Sequence, residues 1–126
     1  MFNEFVIAFN SLATIISFPL LKKYKGILPI KSLAKVKGRV IITGVGKSGH
    51  IANKISSTMS STGTPSQYCS PTDMSHGDLG IISKKDMIIV VSNSGNSNEL
   101  TNLLDFAKKY SISIIGISSN SESDLI

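Results

Sequence analysis

Short runs of branched apolar residues alternate along this chain with longer stretches in which apolar residues recur every three or four positions. Residues 39–43, 87–91 and 113–118 show the first pattern, which is typical of parallel strands buried on both faces. Residues 48–61 and 98–110 show the second pattern, which predicts helices with one buried face. Strands that alternate with helices in this way predict an α/β fold with a doubly wound parallel sheet.

Weaker patterns predict the smaller elements between and after these segments. Residues 67–69 predict a short second strand, and residues 71–79, which begin with a proline, predict an irregular loop. Residues 119–124 are rich in serine and predict a turn followed by the start of a helix. The α/β pattern therefore extends over residues 38–126.

The first 37 residues have a different character. Residues 5–21 are largely apolar, but polar residues and Pro19 interrupt the run, and Glu4 stands where a signal peptide carries basic residues. This pattern favours a helix that packs on the domain or on a second copy over a signal peptide or a membrane span. We therefore divide the chain into residues 1–37, an apolar helix with a basic linker, and residues 38–126.

Composition narrows the possible partners. The net charge is +5, and seven of the thirteen basic residues lie in residues 1–39. Since no aromatic residues interleave with these lysines, a solvated linker is favoured over a nucleic-acid surface. The single cysteine, Cys69, excludes an internal disulfide, suits a reducing cytoplasm and is expected to be a buried structural thiol. His50 and His76 have no cysteine companions, so no metal site is predicted.

Two loops carry the candidate chemistry. Residues 44–49 and residues 92–99 are rich in glycine and serine, and each follows a predicted strand and precedes a predicted helix. Such loops bind anions through backbone N–H groups at a helix N-terminus. The first loop has the spacing of a dinucleotide fingerprint, but no acid follows the second strand at the required distance, and the spacing of a P-loop also fails. A tight turn without a ligand, and ordinary N-capping by Ser97 or Asn98, remain the alternatives.

Four segments in this order resemble the sugar isomerase (SIS) domain of the arabinose 5-phosphate isomerase family: residues 44–51, 61–66, 76–80 and 92–95. The resemblance implies a flavodoxin-like, three-layer αβα sandwich that assembles into homo-oligomers in the cytoplasm. It also implies interconversion of D-arabinose 5-phosphate and D-ribulose 5-phosphate for lipopolysaccharide synthesis, without a cofactor, a nucleic acid or a membrane as partner.

The resemblance also assigns the site residues. It implies that Lys47, Glu99 and His76 are catalytic. Aldose–ketose isomerisation needs a base, for which a carboxylate is suitable, and a group that stabilises an enediolate, for which a lysine is suitable. The implied contacts to the phosphosugar are Gly46, Ser48, Gly63, Thr64, Ser92, Ser94, Gly95 and Ser97.

This sequence departs from the family in three places. Ser70-Pro71 replaces the His-Pro that the family associates with metal binding, and Asn96 replaces a glutamate. The family has a further strand and helices beyond the position of Ile126. We therefore expect a partial SIS domain, in which the alternatives to an isomerase are a phosphosugar-binding module without catalysis and an inactive remnant.

Overall fold

The structure is a computed structural model, and it describes residues 31–120, 123 and 125 of the chain. Strands alternate with helices throughout this part. The elements are β1 (Val40–Gly44), α1 (Lys47–Ser61), β2 (Ser66–Tyr68), α2 (Pro71–Ser75), a 3-10 helix (Asp78–Ile81), β3 (Met87–Val91), α3 (Asn98–Tyr110) and β4 (Ser113–Ile117).

The strands form one parallel sheet in the order β2-β1-β3-β4. The chain leaves β1, passes through α1 and adds β2 on one side, then crosses back and adds β3 on the other side. This is the flavodoxin-like order, in which the direction of winding changes between β1 and β3. In such sheets the strand ends at this switch point leave a crevice that is suited to a ligand.

Helices cover both faces of the sheet. On one face Ile42 of β1 packs in a buried cluster with Ile55 and Met59 of α1. On the other face Ile41 packs in a second cluster with Leu100 of α3. Because neighbouring residues of β1 supply both clusters, β1 has no polar face, and the predicted three-layer αβα sandwich is confirmed.

The predicted strands and main helices are confirmed, with bounds that differ by at most one residue. The burial of Cys69 is also confirmed, since the residue is 8% exposed and burial raises the pKa of its thiol. The apolar helix expected at residues 5–21 lies outside the described residues, as do three of the six residues of the turn expected at 119–124.

The prediction of an irregular loop at residues 71–79 is wrong. This segment contains α2 and the start of the 3-10 helix. Pro71 occupies the first turn of α2, where its fixed φ suits a helix and its missing N–H costs nothing. Met74 is buried beside Leu100 of α3. A helix of five residues is too short to show a periodic pattern, so tertiary packing determines it rather than local sequence.

A buried carboxylate joins the amino ends of the strands. Asp86 is 6% exposed, and its two oxygens accept the backbone N–H groups of Arg39 at 2.7 Å and Ser83 at 2.8 Å. Burial by itself raises the pKa of Asp86, but these hydrogen bonds and the Arg39 guanidinium outweigh it, so that the pKa lies below its usual value. The turn that precedes β3 is thereby tied to the start of β1.

An open cleft of about 390 Å³ lies at this same amino edge of the sheet. Lys35, Lys37, Lys84 and Lys85 line it. The backbones that carry the two lysine pairs meet where the Gly38 N–H donates to the Lys85 carbonyl at 2.8 Å. Among the described residues these four lysines make no ion pair, so four positive charges line one cleft whose wall also contains Asp86.

Candidate functional site

The candidate site is the crevice at the carboxyl ends of β1 and β3. These strands pair in parallel up to Gly44 and Val91, which lie opposite each other at the last position of each strand. The β1 loop (residues 44–49) and the β3 loop (residues 92–97) therefore leave the sheet side by side. The prediction that the two loops lie at neighbouring strand ends is confirmed.

Close backbone contacts set the shape of the β1 loop. A β-carbon on Gly44 would lie 2.7 Å from the Val91 carbonyl oxygen, and one on Gly49 would lie 2.6 Å from the Gly44 carbonyl oxygen. Gly46 has φ 58° and ψ −125°, a conformation that is open to glycine and strained for other residues. These glycines let the chain turn directly into α1, so that Lys47 begins the helix and its side chain is exposed.

The β3 loop holds its serine hydroxyls as acceptors. The Ser92 Oγ accepts the Gly95 N–H at 3.0 Å, and the Ser94 Oγ accepts the Asn96 N–H at 3.3 Å. A hydroxyl has one hydrogen to donate besides its lone pairs, and neither hydroxyl donates to another described residue. Both serines therefore keep a donor for a ligand.

Neither helix that starts at the crevice has a side-chain cap. Gly46 precedes α1 and Ser97 precedes α3, and no side-chain hydrogen bond closes the first turn of either helix. The first N–H groups of a helix have no partner within the helix and carry a partial positive charge. The N-capping alternative for Ser97 therefore does not describe this structure, and the two helix ends are left with donors for an anion.

Glu99 and His76 lie at the same edge of the sheet. Glu99 is in the first turn of α3, and His76 follows α2, which begins just after β2 ends. The Asn102 amide donates to the Ser75 hydroxyl at 3.5 Å, so the end of α2 lies beside the first turns of α3. Both Glu99 and His76 are exposed. Their catalytic roles stay predictions.

Gly63 and Thr64 lie elsewhere. They follow α1, and the next residue, Pro65, accepts the Val40 N–H at 2.9 Å at the amino end of β1. The 15 residues of α1 span ~22 Å between the two edges of the sheet. The structure therefore does not bring Gly63 and Thr64 to the crevice of their own chain, and their contact with a ligand stays a prediction.

Sequence reasoning missed the residues that hold the β3 loop from behind. The Asn93 carbonyl oxygen lies 3.1 Å from the Ser118 hydroxyl and 2.7 Å from the Ser119 hydroxyl, which follow β4. The side chain of Ser123 packs where a β-carbon on Gly95 would stand. The serines that follow β4 are visible in the sequence, but only the order of the strands places them beside the β3 loop.

Thr43 was also missed. It is the penultimate residue of β1 and fully buried, and its hydroxyl has no hydrogen-bond partner among the described residues. A buried hydroxyl without a partner is costly and uncommon. It stands one residue before the β1 loop.

In residues 31–120, 123 and 125, no group of three or more histidine, cysteine, aspartate or glutamate side chains is close enough to hold a metal ion. In the same residues, no helix has the length and apolar character needed to cross a bilayer.

Comparison with known proteins gives concordant matches. The family described as "SIS domain" matches residues 32–126. An uncharacterized protein of Rickettsia prowazekii is 47% identical over 96 residues, which is 76% of this chain and 30% of that protein. The arabinose 5-phosphate isomerase KdsD of Francisella tularensis is 52% identical over 89 residues, which is 71% of this chain and 27% of that protein.

A solved structure of an Escherichia coli CFT073 protein in complex with arabinose 5-phosphate is 36% identical with a TM-score of 0.76, and the match covers 98% of this chain and 64% of that chain. The chain thus spans less than a third of the length of the two curated relatives named above. The residues matched by the SIS domain family contain both crevice loops.

Proposed function

Because this chain belongs to the SIS domain family, we propose that it binds a phosphorylated sugar in the crevice. We further propose that the site serves aldose–ketose isomerisation of the D-arabinose 5-phosphate and D-ribulose 5-phosphate type. The observation that carries the proposal is the pairing of β1 with β3, which sets two serine- and glycine-rich loops and two uncapped helix starts around one space.

The phosphate group fits the donors of this space. The hydroxyls of Ser92 and Ser94 each keep a hydrogen, and Ser97 stands at the uncapped start of α3. Backbone N–H groups at a helix start favour a phosphate through both hydrogen bonds and the helix dipole. Lys47, in the neighbouring loop, adds a positive charge that attracts the phosphorylated ligand to the crevice. We assign Gly46, Ser48 and Gly95 to the backbone that surrounds the phosphate.

The sugar would extend from this phosphate toward the side chains assigned to catalysis. Isomerisation moves a proton between C1 and C2 through an enediolate, and no cofactor is required. We propose that the Glu99 carboxylate takes the proton from one carbon and returns it to the other. Lys47 would stabilise the enediolate oxygen, and His76 would orient a sugar hydroxyl or assist ring opening.

A phosphosugar-binding module without catalysis is the second candidate function. Catalytic groups need partners that hold them in a productive geometry. Glu99 and His76 are both exposed, and no side-chain hydrogen bond to another described residue holds either of them. The hydroxyls of Ser92 and Ser94, by contrast, are held in place by the backbone N–H groups that they accept. This difference supports binding more directly than it supports turnover.

The binding step can be tested by thermal unfolding in the presence of D-arabinose 5-phosphate. A ligand that binds only the folded chain raises stability by about 2.7 kcal/mol at a hundredfold excess over Kd. We expect D-arabinose 5-phosphate to raise the melting temperature and D-arabinose without phosphate to leave it unchanged. Lys47→Ala and Ser94→Ala should each reduce the shift.

The matched control is Lys54→Ala, which removes an exposed lysine of α1 two turns beyond the crevice. This variant should keep the full shift. An equal shift in Lys47→Ala and Lys54→Ala, or no shift in the wild type at millimolar ligand, would contradict the proposed site. An assay for D-ribulose 5-phosphate formation then separates the isomerase from the binding module.

We further propose a homo-oligomeric, cytoplasmic protein that acts in carbohydrate metabolism on the route to lipopolysaccharide. The buried free thiol of Cys69 supports a reducing compartment. The predicted contact of Gly63 and Thr64 with the ligand requires an oligomer, because these residues lie at the edge opposite the crevice of their own chain. Light scattering after size-exclusion chromatography tests the oligomer, and a monomer at micromolar concentration would contradict it.

A further inference from the structure

One peptide carbonyl in the β3 loop is held unusually well. The Asn93 oxygen lies within hydrogen-bond distance of three donors: the Ser118 hydroxyl at 3.1 Å, the Ser119 hydroxyl at 2.7 Å and the Ser119 N–H at 3.3 Å. The Ser119 hydroxyl also lies 3.0 Å from the Asn93 side-chain oxygen. All of these donors belong to the segment that follows β4.

The direction of this carbonyl fixes the direction of the next N–H group. The described peptide bonds are all trans, so the Asn93 carbonyl and the Ser94 N–H lie in one rigid plane and point in opposite directions within it. The donors from Ser118 and Ser119 lie on the β4 side of β3, and β1 lies on the other side. The Ser94 N–H is therefore turned toward β1 and the crevice.

We propose that Ser118 and Ser119 are positioning residues that aim the Ser94 N–H at the phosphate of the ligand. This inference rests on the proposed function, because it concerns the same crevice. The Ser94 N–H has no acceptor among the described residues, although the N–H groups of the neighbouring Gly95 and Asn96 are both bonded. The fold thus orients the Ser94 N–H, and this donor is available for a ligand.

Two features make this orientation firm. Gly95 has φ 73° and is buried, and the Ser123 side chain fills the space beside its α-carbon, so the loop cannot swing toward β4. Hydrogen bonds to a carbonyl oxygen also polarise the peptide, which makes its N–H a stronger donor. Ser118 and Ser119 therefore act on the ligand through the Asn93–Ser94 peptide without touching the ligand themselves.

The test compares ligand affinity in Ser119→Ala, Ser119→Thr and the control Ser57→Ala. Ser119 is exposed and keeps its backbone N–H in the alanine variant, so we expect no loss of folding. Calorimetry with D-arabinose 5-phosphate and with inorganic phosphate should show about three- to tenfold weaker binding for Ser119→Ala, the loss that one hydrogen bond supports. Ser119→Thr keeps the hydroxyl and should restore affinity. Ser57 is exposed on α1, and its replacement should change nothing.

A second measurement needs no variant. Addition of either phosphate probe to the ¹⁵N-labelled wild type should move the Ser94 amide proton strongly downfield, and Ser119→Ala should reduce this movement. Equal affinity of Ser119→Ala and wild type, together with an unmoved Ser94 amide, would overturn the positioning role and leave the proposed function standing. Absence of binding by the wild type would instead overturn both.

Discussion

At the scale of single residues, the glycines of the crevice serve two separate purposes. Gly44 and Gly49 are needed because another backbone passes where a β-carbon would be. Gly46 and Gly95 are needed because their φ angles are positive. The spacing of Gly44, Gly46 and Gly49 matches a nucleotide fingerprint, yet contacts within the fold explain Gly44 and Gly49, and the backbone conformation explains Gly46.

The variant Gly49→Ala tests whether the close backbone contact at Gly49 outweighs the higher helix propensity of alanine. Alanine favours helix formation over glycine by about 1 kcal/mol. The new methyl group would nevertheless lie 2.6 Å from the Gly44 oxygen and 2.9 Å from the Tyr68 hydroxyl. We expect a net loss of about 1–3 kcal/mol in the free energy of unfolding, measured in urea. The control is Gly80→Ala, where nothing lies within 4 Å of the new atom and no loss is expected.

Asp86→Asn should reveal a carboxylate that stabilises the fold through its charge. The folded pKa of Asp86 is lowered, so its contribution is fully present above the unfolded pKa of about 3.9 and is lost as pH falls through the lower folded value. We expect Asp86→Asn to lower the free energy of unfolding by about 1–3 kcal/mol at pH 7.

The difference between wild type and Asp86→Asn should begin to shrink below about pH 4, where the carboxylate of the unfolded wild type takes up a proton. It should close as the pH falls further, through the lower pKa of Asp86 in the folded chain. Asp105→Asn is a matched control, because Asp105 is exposed on α3. A constant deficit of Asp86→Asn from pH 7 to pH 3 would contradict the electrostatic explanation.

At the scale of elements, the sequence predicted the helices and strands whose apolar residues recur with a regular period. The apolar face of α3 and the branched run of β3 each extend over complete elements, and both sets of bounds were predicted to the residue. The helix α2 was missed because one turn has no period, and its position depends on the burial of Met74 beside Leu100. Strand order was beyond local patterns, because it requires knowing which strands pair.

The end of α3 offers a stabilising substitution. Ser111 follows the helix with φ 55° and ψ 42°, the left-handed conformation in which a side chain is strained. Ser111→Gly should raise the free energy of unfolding by about 0.5–1 kcal/mol. Thr62 follows α1 with φ −98°, and its hydroxyl lies within hydrogen-bond distance of the Thr58 and Met59 carbonyls, so Thr62→Gly should lower stability. Chemical denaturation of both variants checks the opposite signs.

At the scale of the whole molecule, one part of the candidate site could be predicted from the sequence and another part could not. The loops at Lys47 and Ser94 were predicted as one anion site, since the carboxyl ends of all strands in a parallel sheet lie at one edge. The support of Asn93 by Ser119 could not be predicted, because these residues are 26 positions apart and meet only through the pairing of β3 with β4. Three-dimensional order supplies that part of the site.

The lysine cleft at the opposite edge should make stability depend on salt. Lys35, Lys37, Lys84 and Lys85 repel one another, and the Debye length shortens from about 30 Å at 0.01 M salt to about 10 Å at 0.1 M. We expect the melting temperature to rise over this range. The double variant Lys84→Gln with Lys85→Gln should have a higher melting temperature than the wild type at low salt. Its melting temperature should also increase less when salt is added.

The control for the lysine cleft replaces two lysines that are favourably placed. Lys108 and Lys109 lie in the last turn of α3, where a positive charge is stabilised by the helix dipole. Lys108→Gln with Lys109→Gln should therefore lower stability at low salt. The same sign of change in both double variants would contradict the electrostatic origin.

The pairing of β1 with β3 also has a consequence for the order of events in folding. The two strands meet only after α1, β2 and α2, which lie between them in the chain, have been enclosed. Closing such a long loop costs conformational entropy before the contacts between β1 and β3 can stabilise the chain. A nascent chain that has assembled only β1, α1 and β2 has half of the anion donors and no crevice. A phosphorylated ligand would thus recognise only chains whose central strands have joined, and would act by slowing their unfolding rather than by speeding their assembly.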